Sequence, residues 1–253
     1  MLVKSVERTM CTAASAASVA TTGSITSLAR RRFEDHERCR LSEDRIRPHQ
    51  PAAVLVPLFL NHADNKLSVL LTQRSAKLKH HSGEVALPGG RYDEGDESAV
   101  ATALRESCEE VGLQKHQVEV CTELPPHLVR DMSLVVPVVG FIPENFRPRI
   151  HRTEVDAVFR APLEMFLSSE NYTSYYYQLS RAPKKLLIHS FNYVDPEHGD
   201  RAFRIWGLAA QVLMTTASIV FNRVPEVKCR LRHYSPTLSN NCSTLLENKE
   251  TSA

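Results

Sequence analysis

The sequence predicts an α/β fold in which a mixed β-sheet is covered by helices on both faces. Three observations carry that expectation. Short apolar runs of strand length recur between turn-rich connectors. Two segments read as helices, one amphipathic and acidic, the other almost wholly apolar. Strands and helices intermix without the regular alternation of a parallel βαβ array. The composition agrees: 253 residues, 42% hydrophobic and 24% charged, allow one large domain with tails or two small domains. A formal net charge of +2 gives no bulk attraction for nucleic acid or a membrane surface. No apolar run approaches the ~20 residues needed to span a bilayer.

Taken in order, residues 1–35 read as an organellar transit segment or a disordered tail. Thr9 to Ala29 carry no charge and are rich in Ala, Ser and Thr; Lys4 and Arg8 precede them and Arg30, Arg31 and Arg32 follow. The expected address is the mitochondrion, with cytosol or plastid as alternatives; the closing Thr251-Ser252-Ala253 is a poor peroxisomal signal. The folded domain is expected over 48–225, beginning near Pro48. "AAVLVPLFL" and "KLSVLLTQR" read as a strand pair joined by "NHADN". "QVEVCTEL" and "SLVVPVVGFI" read as further strands, with Pro137 pointing to an edge or a bulge. "VDAVFRAPLEMFLSS" reads as a strand entering a short helix opened by Pro162. "LLIHSFNYV" is another strand, and "RIWGLAAQVLMTTASIVFN" a long buried helix. Residues 226–253 fade into a polar, flexible tail. The six cysteines show no CxxC or zinc-ligand spacing, which suggests a reducing compartment, and Cys108 reads as core.

The chemistry centres on "GGRYDEGDESAVATALRESCEEVGL" (Gly89 to Leu113). On a helix, Val100, Leu104, Cys108 and Val111 form one stripe that faces the core. Glu106, Glu109 and Glu110 then lie on nearly the opposite face, and Gly112 ends the helix as its C′ residue. An acidic helix face is usually plain solvated surface. Here the acids occupy the last turn, where the helix dipole disfavours them, and they follow a Gly-Gly loop that lets backbone approach a ligand closely. Three carboxylates at that place make a hard oxygen site suited to Mg²⁺ or Mn²⁺.

Gly90, Asp96 or Glu97, and Arg105-Glu106-Ser107-Cys108-Glu109-Glu110-Val111-Gly112-Leu113 together resemble the Nudix box. Two positions depart from the general pattern. Gly90 is one residue further from Arg105, which leaves the early acid open between Asp96 and Glu97, and Ser107 stands where an apolar residue is usual. Upstream, "LLTQRSAKLKHHSGEVALPGG" is similar to the signature of Nudix hydrolases that cleave coenzyme A; Arg74, Lys79 and Gly83 match it, and the expanded spacing is similar too. The resemblance covers roughly Pro48 to Val224. It implies a Nudix fold, an α/β/α sandwich around a mixed sheet, and hydrolysis of the diphosphate of coenzyme A or its thioesters.

The implied metal ligands are Glu106, Glu109 and Glu110, and the catalytic set is Glu109, Arg105 and Glu154. Arg105 would pair with a carboxylate and fix its rotamer, while Glu154 is a candidate general base. Substrate would meet Gly89 and Gly90 at its diphosphate, and Arg74 with Lys79 at the 3′-phosphate. Two alternatives are a hydrolase of another nucleoside diphosphate derivative such as ADP-ribose, and a non-catalytic nucleotide-sensing module. Such modules tend to lose the metal carboxylates, and all three are present. The implied partner is a small molecule, with no nucleic acid and no membrane; the oligomeric state is open.

Overall fold

The computed structural model describes residues 25–34, 52–129, 134–178 and 185–227. Residues 1–24 of the expected transit segment and 228–253 of the expected tail lie outside the described residues.

The principal sheet is mixed. Strand β1 (Ala52–Asn61) runs parallel to β7 (Leu134–Phe141) and antiparallel to β2 (Lys66–Arg74) and β4 (Gly89–Arg91). Strand β2 pairs with β3 (Val85–Ala86) and β8 (Val155–Pro162), while β7 pairs with β5 (Glu119–Glu123) and β6 (His127–Leu128). Alternation along the strands divides the interior in two. Val56 and Leu58 of β1, with Val69 and Leu71 of β2, enter the larger core; Ala53, Leu55 and Phe59, with Leu70, enter the smaller.

Helix α2 (Ala99–Val111) closes the smaller core with Ala103, Leu104 and Val111. On the opposite face lies α3 (Gly207–Phe221), whose Ala210, Val212, Leu213 and Met214 are fully buried. The expected layering, helices on both faces of a mixed sheet, is therefore present.

Four readings of the sequence are corrected. The folded part does not begin at Pro48: residues 25–34 form a helix, α1, with Ala29 and Phe33 fully buried in the larger core. Burial of one such phenylalanine contributes about 1.5–3 kcal/mol. Arg30 makes a paired ion bridge to Glu119 at 2.8 and 2.9 Å, and Arg32 donates to the Val220 carbonyl of α3. The flexible tail does not begin at 226. Glu226 accepts from the Ser169 amide and hydroxyl at 3.0 and 3.1 Å, and Val227 is buried. "RIW" belongs to a strand, β11 (Arg201–Trp206), and the helix opens only at Gly207, whose φ of 63° breaks the run. With β9 (Tyr172–Gln178) and β10 (Lys185–Asp195), β11 makes a second, three-stranded antiparallel sheet that pattern reading did not separate. Lastly, Pro137 is not on an edge, since β7 lies between β1 and β5; the register shift in that pairing lies further along, in β5 between Val120 and Thr122, opposite Gly140 and Val139. The short helix after Pro162 is a 3₁₀ turn, Leu163–Leu167.

Candidate active site

The site is built around the end of α2. Ser98 caps the helix start, accepting from the Ala101 amide at 3.1 Å. Gly112, at φ 73°, ends it as expected, its amide returning to the Cys108 carbonyl at 3.0 Å. Two later backbone amides serve the last carbonyls: Arg149 N–H donates to Val111 O at 2.8 Å, and His151 N–H to Glu110 O at 2.9 Å. Satisfying the helix end in this way brings the turn carrying Glu154 to the acidic residues.

The buried face is rotated from the expected stripe. Thr102, Ala103, Leu104, Ser107, Glu110 and Val111 are buried, whereas Val100 and Cys108 are only partly so. Small residues explain the rotation: Ala103 and Ser107 let the helix lie close on the sheet, and the Ser107 hydroxyl donates back to the Ala103 carbonyl at 2.6 Å. Glu110 therefore does not share a solvated face with Glu106 and Glu109. It is 4% exposed. Burial pushes its carboxyl up to about 8, against the opposing pull of Arg74 and the Gly89 amide, while Glu106 and Glu154 push it up further. Glu106 is raised as well, by burial first, with Arg105 opposing and Glu109 and Glu154 adding.

Arg105 is the brace. Its Nε and Nη2 make a fork on Asp96, the shortest contact being 2.9 Å, and Nη2 also donates to the Arg91 carbonyl at 2.9 Å. Asp96 is buried and held down to about 2 by that guanidinium, and the residue left open between Asp96 and Glu97 is thereby resolved, since Glu97 is exposed. Nη1 reaches Glu106 at 3.1 Å and Glu109 at 3.2 Å.

The two glycines do not form a free loop. They lie in β4, paired with Ala53 and Val54. What approaches them closely is protein: a Cβ on Gly90 would lie 2.3 Å from a Glu106 carboxylate oxygen, and the Gly89 amide donates to Glu110 Oε2 at 3.3 Å. Gly83, at φ 70°, closes the 75–84 loop by donating to the Arg74 carbonyl at 3.1 Å.

Arg74 sits with the acids, its Nη1 3.9 Å from Glu110 Oε1 and its Nε buried without a hydrogen-bond partner. Lys79 is exposed on the 75–84 loop. Glu154 is partly exposed, its Oε1 3.2 Å from His151 Nδ1. Sequence reasoning missed His151, and a lone surface histidine gave no signal for it.

Among the described residues, no three His, Cys, Asp or Glu side chains converge as a metal-holding group. The expected convergence of Glu106, Glu109 and Glu110 is not seen, because Arg105 draws Glu106 and Glu109 while Glu110 turns to Arg74 and the Gly89 amide. The donor chemistry nevertheless fits a hard divalent cation. Glu106 and Glu110 are both withdrawn from water and raised by neighbouring carboxylates, Glu154 acting on both, and the nearby cations offset this only in part.

A family model described as the NUDIX domain matches residues 48–181. The chain belongs to the Nudix hydrolase family. Its Nudix helix is α2, and Nudix hydrolases generally need a divalent metal ion. Among curated relatives, it is 45% identical over 184 residues to Nudix hydrolase 15, mitochondrial, of Arabidopsis thaliana, covering 72% of this chain and 62% of that protein. It is 41% identical over 176 residues to the peroxisomal coenzyme A diphosphatase NUDT7 of Mus musculus, covering 70% and 72%. Nudix hydrolase 22, chloroplastic, of Arabidopsis thaliana is 43% identical over 183 residues, covering 72% and 58%. The match thus spans less than two thirds of either plant protein. Among the described residues, no helix of this Nudix protein is long and apolar enough to cross a membrane.

Proposed function

We propose that this Nudix protein hydrolyses the diphosphate of coenzyme A and acyl-coenzyme A, giving (acyl-)4′-phosphopantetheine and adenosine 3′,5′-bisphosphate. The observation that carries the reading is the buried Glu110 beside Glu106, ringed by Arg74, Arg105 and Glu154 at the end of α2. The substrate class is supported by the likeness to the mouse coenzyme A diphosphatase.

Glu106 and Glu110, with Glu109, would hold Mg²⁺ or Mn²⁺, which when bound supplies charge neutralisation at the diphosphate and an oriented water. Arg105 keeps Glu106 and Glu109 in place from its anchor on Asp96. Glu154 takes a proton from water as the water oxygen bonds to phosphorus. The bridging P–O bond breaks, and its electron pair leaves on the departing phosphate oxygen.

The position of Arg74 alters the substrate assignment. A guanidinium beside Glu110 faces the diphosphate in this reading, and Lys79 remains for the 3′-phosphate. Arg74→Ala is therefore expected to lower kcat/KM by about ten- to a hundredfold, the equivalent of one charge-assisted hydrogen bond. The loss should be equal for coenzyme A and dephospho-coenzyme A. A loss confined to coenzyme A would return Arg74 to the 3′-phosphate. Product analysis over coenzyme A, dephospho-coenzyme A and ADP-ribose, with each metal, tests the substrate itself. Faster cleavage of ADP-ribose than of coenzyme A would favour the wider nucleoside diphosphate reading.

For location we propose the mitochondrion, on the uncharged hydroxyl-rich segment before Arg30 and the mitochondrial name of one plant relative. A fluorescent reporter carrying Met1 to Ser24 is expected to enter mitochondria; a diffuse cytosolic signal would refute it.

A further inference from the structure

We propose that His151 is a positioning residue that orients the Glu154 carboxylate for proton abstraction, an inference that rests on reading Glu154 as the general base. The backbone around both residues is fixed to the rest of the site. His151 N–H donates to the Glu110 carbonyl at 2.9 Å, so the histidine is registered directly on the Nudix helix. Its own carbonyl accepts from the amides of Glu154 and Val155 at 2.9 and 3.0 Å, which makes a tight turn at the start of β8. The Glu154 carbonyl in turn accepts from the Ser75 amide at 2.8 Å, one residue after Arg74. Glu154 is thus pinned at its main chain between the acidic helix and the strand that delivers Arg74.

Its side chain is a different matter. The Glu154 side chain is 41% exposed and has three rotatable bonds, and freedom of that kind scatters a base away from its target. The bond from His151 Nδ1 to Oε1, at 3.2 Å, is what restrains it. With Oε1 held, Oε2 is the oxygen presented to a water. The imidazole is itself flanked by Thr153, whose Oγ1 lies 3.4 Å from Nδ1 and 3.5 Å from Nε2. The Glu154 carboxylate lies near enough to Glu106 and Glu110 for its charge to bear on both. Nothing in the histidine's own sequence neighbourhood signals this, because the partner relation is created by the turn.

The test uses the full chain with Mg²⁺ and coenzyme A. His151→Ala is expected to lower kcat about tenfold with KM unchanged, since orientation of a base acts on the chemical step and not on ground-state binding. His151→Asn, which keeps a donor where Nδ1 stands, is expected to restore kcat to within about twofold, with an unfolding midpoint like that of wild type. The pair His151→Ala with Glu154→Gln should be no slower than Glu154→Gln alone, because no base remains to be oriented. Wild-type kcat in His151→Ala overturns the proposal, and so does a double variant slower than Glu154→Gln by the full single-variant factor. If Glu154→Gln itself keeps wild-type kcat, the base assignment fails first and the positioning role falls with it.

Discussion

Glu110→Gln is expected to lower turnover about a hundredfold or more while leaving the protein folded and, without metal at pH 8, more stable than wild type. The activity loss follows from the charge the site must supply. A cation at the diphosphate contributes several kcal/mol to the transition state, each 1.36 kcal/mol is tenfold, and an amide is a poor ligand for it. The stability gain follows from burial. Glu110 is 5% exposed at its side chain and lies close to Glu106 and Glu154, so the glutamine relieves a repulsion that the folded state otherwise carries. Glu106→Gln should show the same activity loss with a smaller gain, because Arg105 already offsets its charge. Steady-state rates and thermal unfolding of the same preparations check both halves. Near-wild-type rates in both variants would mean that the metal is held elsewhere.

The second large effect is the pH dependence of the metal-free protein. Glu110 is raised to about 8 in the fold and reverts to an ordinary carboxylate when unfolded. Between those values the folded state binds more protons than the unfolded state, so stability falls as pH rises towards 8. Glu106 acts in the same direction. Four groups among the described residues act oppositely at lower pH, Glu119 and Glu226 being carboxylates lowered by Arg30 and by Ser169. His189, lowered by burial, costs stability as it is forced to charge, and Asp96, held to about 2 by Arg105, loses its contribution only in strong acid. The clean window is therefore pH 6.5 to 8, above the ordinary histidine value. Glu110 alone should cost about 2 kcal/mol across it, at 1.36 kcal/mol per unit. In a protein of this size that is an unfolding midpoint about 4–8 °C lower at the alkaline end. Glu110→Gln should flatten the dependence. A wild-type midpoint that is level or rising across the window in chelator would contradict the buried, uncompensated carboxylate.

The acidic helix was legible because its residue types and spacing form a long pattern that few other structures require. Its rotation was not. A wheel centred on Val100, Leu104, Cys108 and Val111 weights bulk, whereas packing distance was set by the small Ala103 and Ser107, and that choice carried Glu110 inward. The central strands were legible from their alternating or continuous apolar runs. The second sheet was not, because Tyr175, Tyr176 and Tyr177 put aromatic rings on both faces of β9, so no period of two appears. Likewise Ile205 and Trp206 of β11 read as the start of the apolar helix that follows, and only the φ of Gly207 separates them. Glu154 could be named from sequence but not connected to the acids, since its approach depends on the amides of Arg149 and His151 finding the open carbonyls of α2.

Helix α1 gives the basic cluster at its centre a double use. Arg30 and Arg32, which read from sequence as the cationic flank of a targeting leader, are in the fold structural ties to Glu119 and to the Val220 carbonyl, while Ala29 and Phe33 of the same helix are buried in the core. A cut after those arginines would remove Ala29 from the core and both tethers at once. On the proposed mitochondrial reading, a processing cut compatible with the packed fold would fall ahead of Ile25. If the chain carries a cleaved leader, the packing of α1 constrains its mature N-terminus as much as the specificity of the protease does.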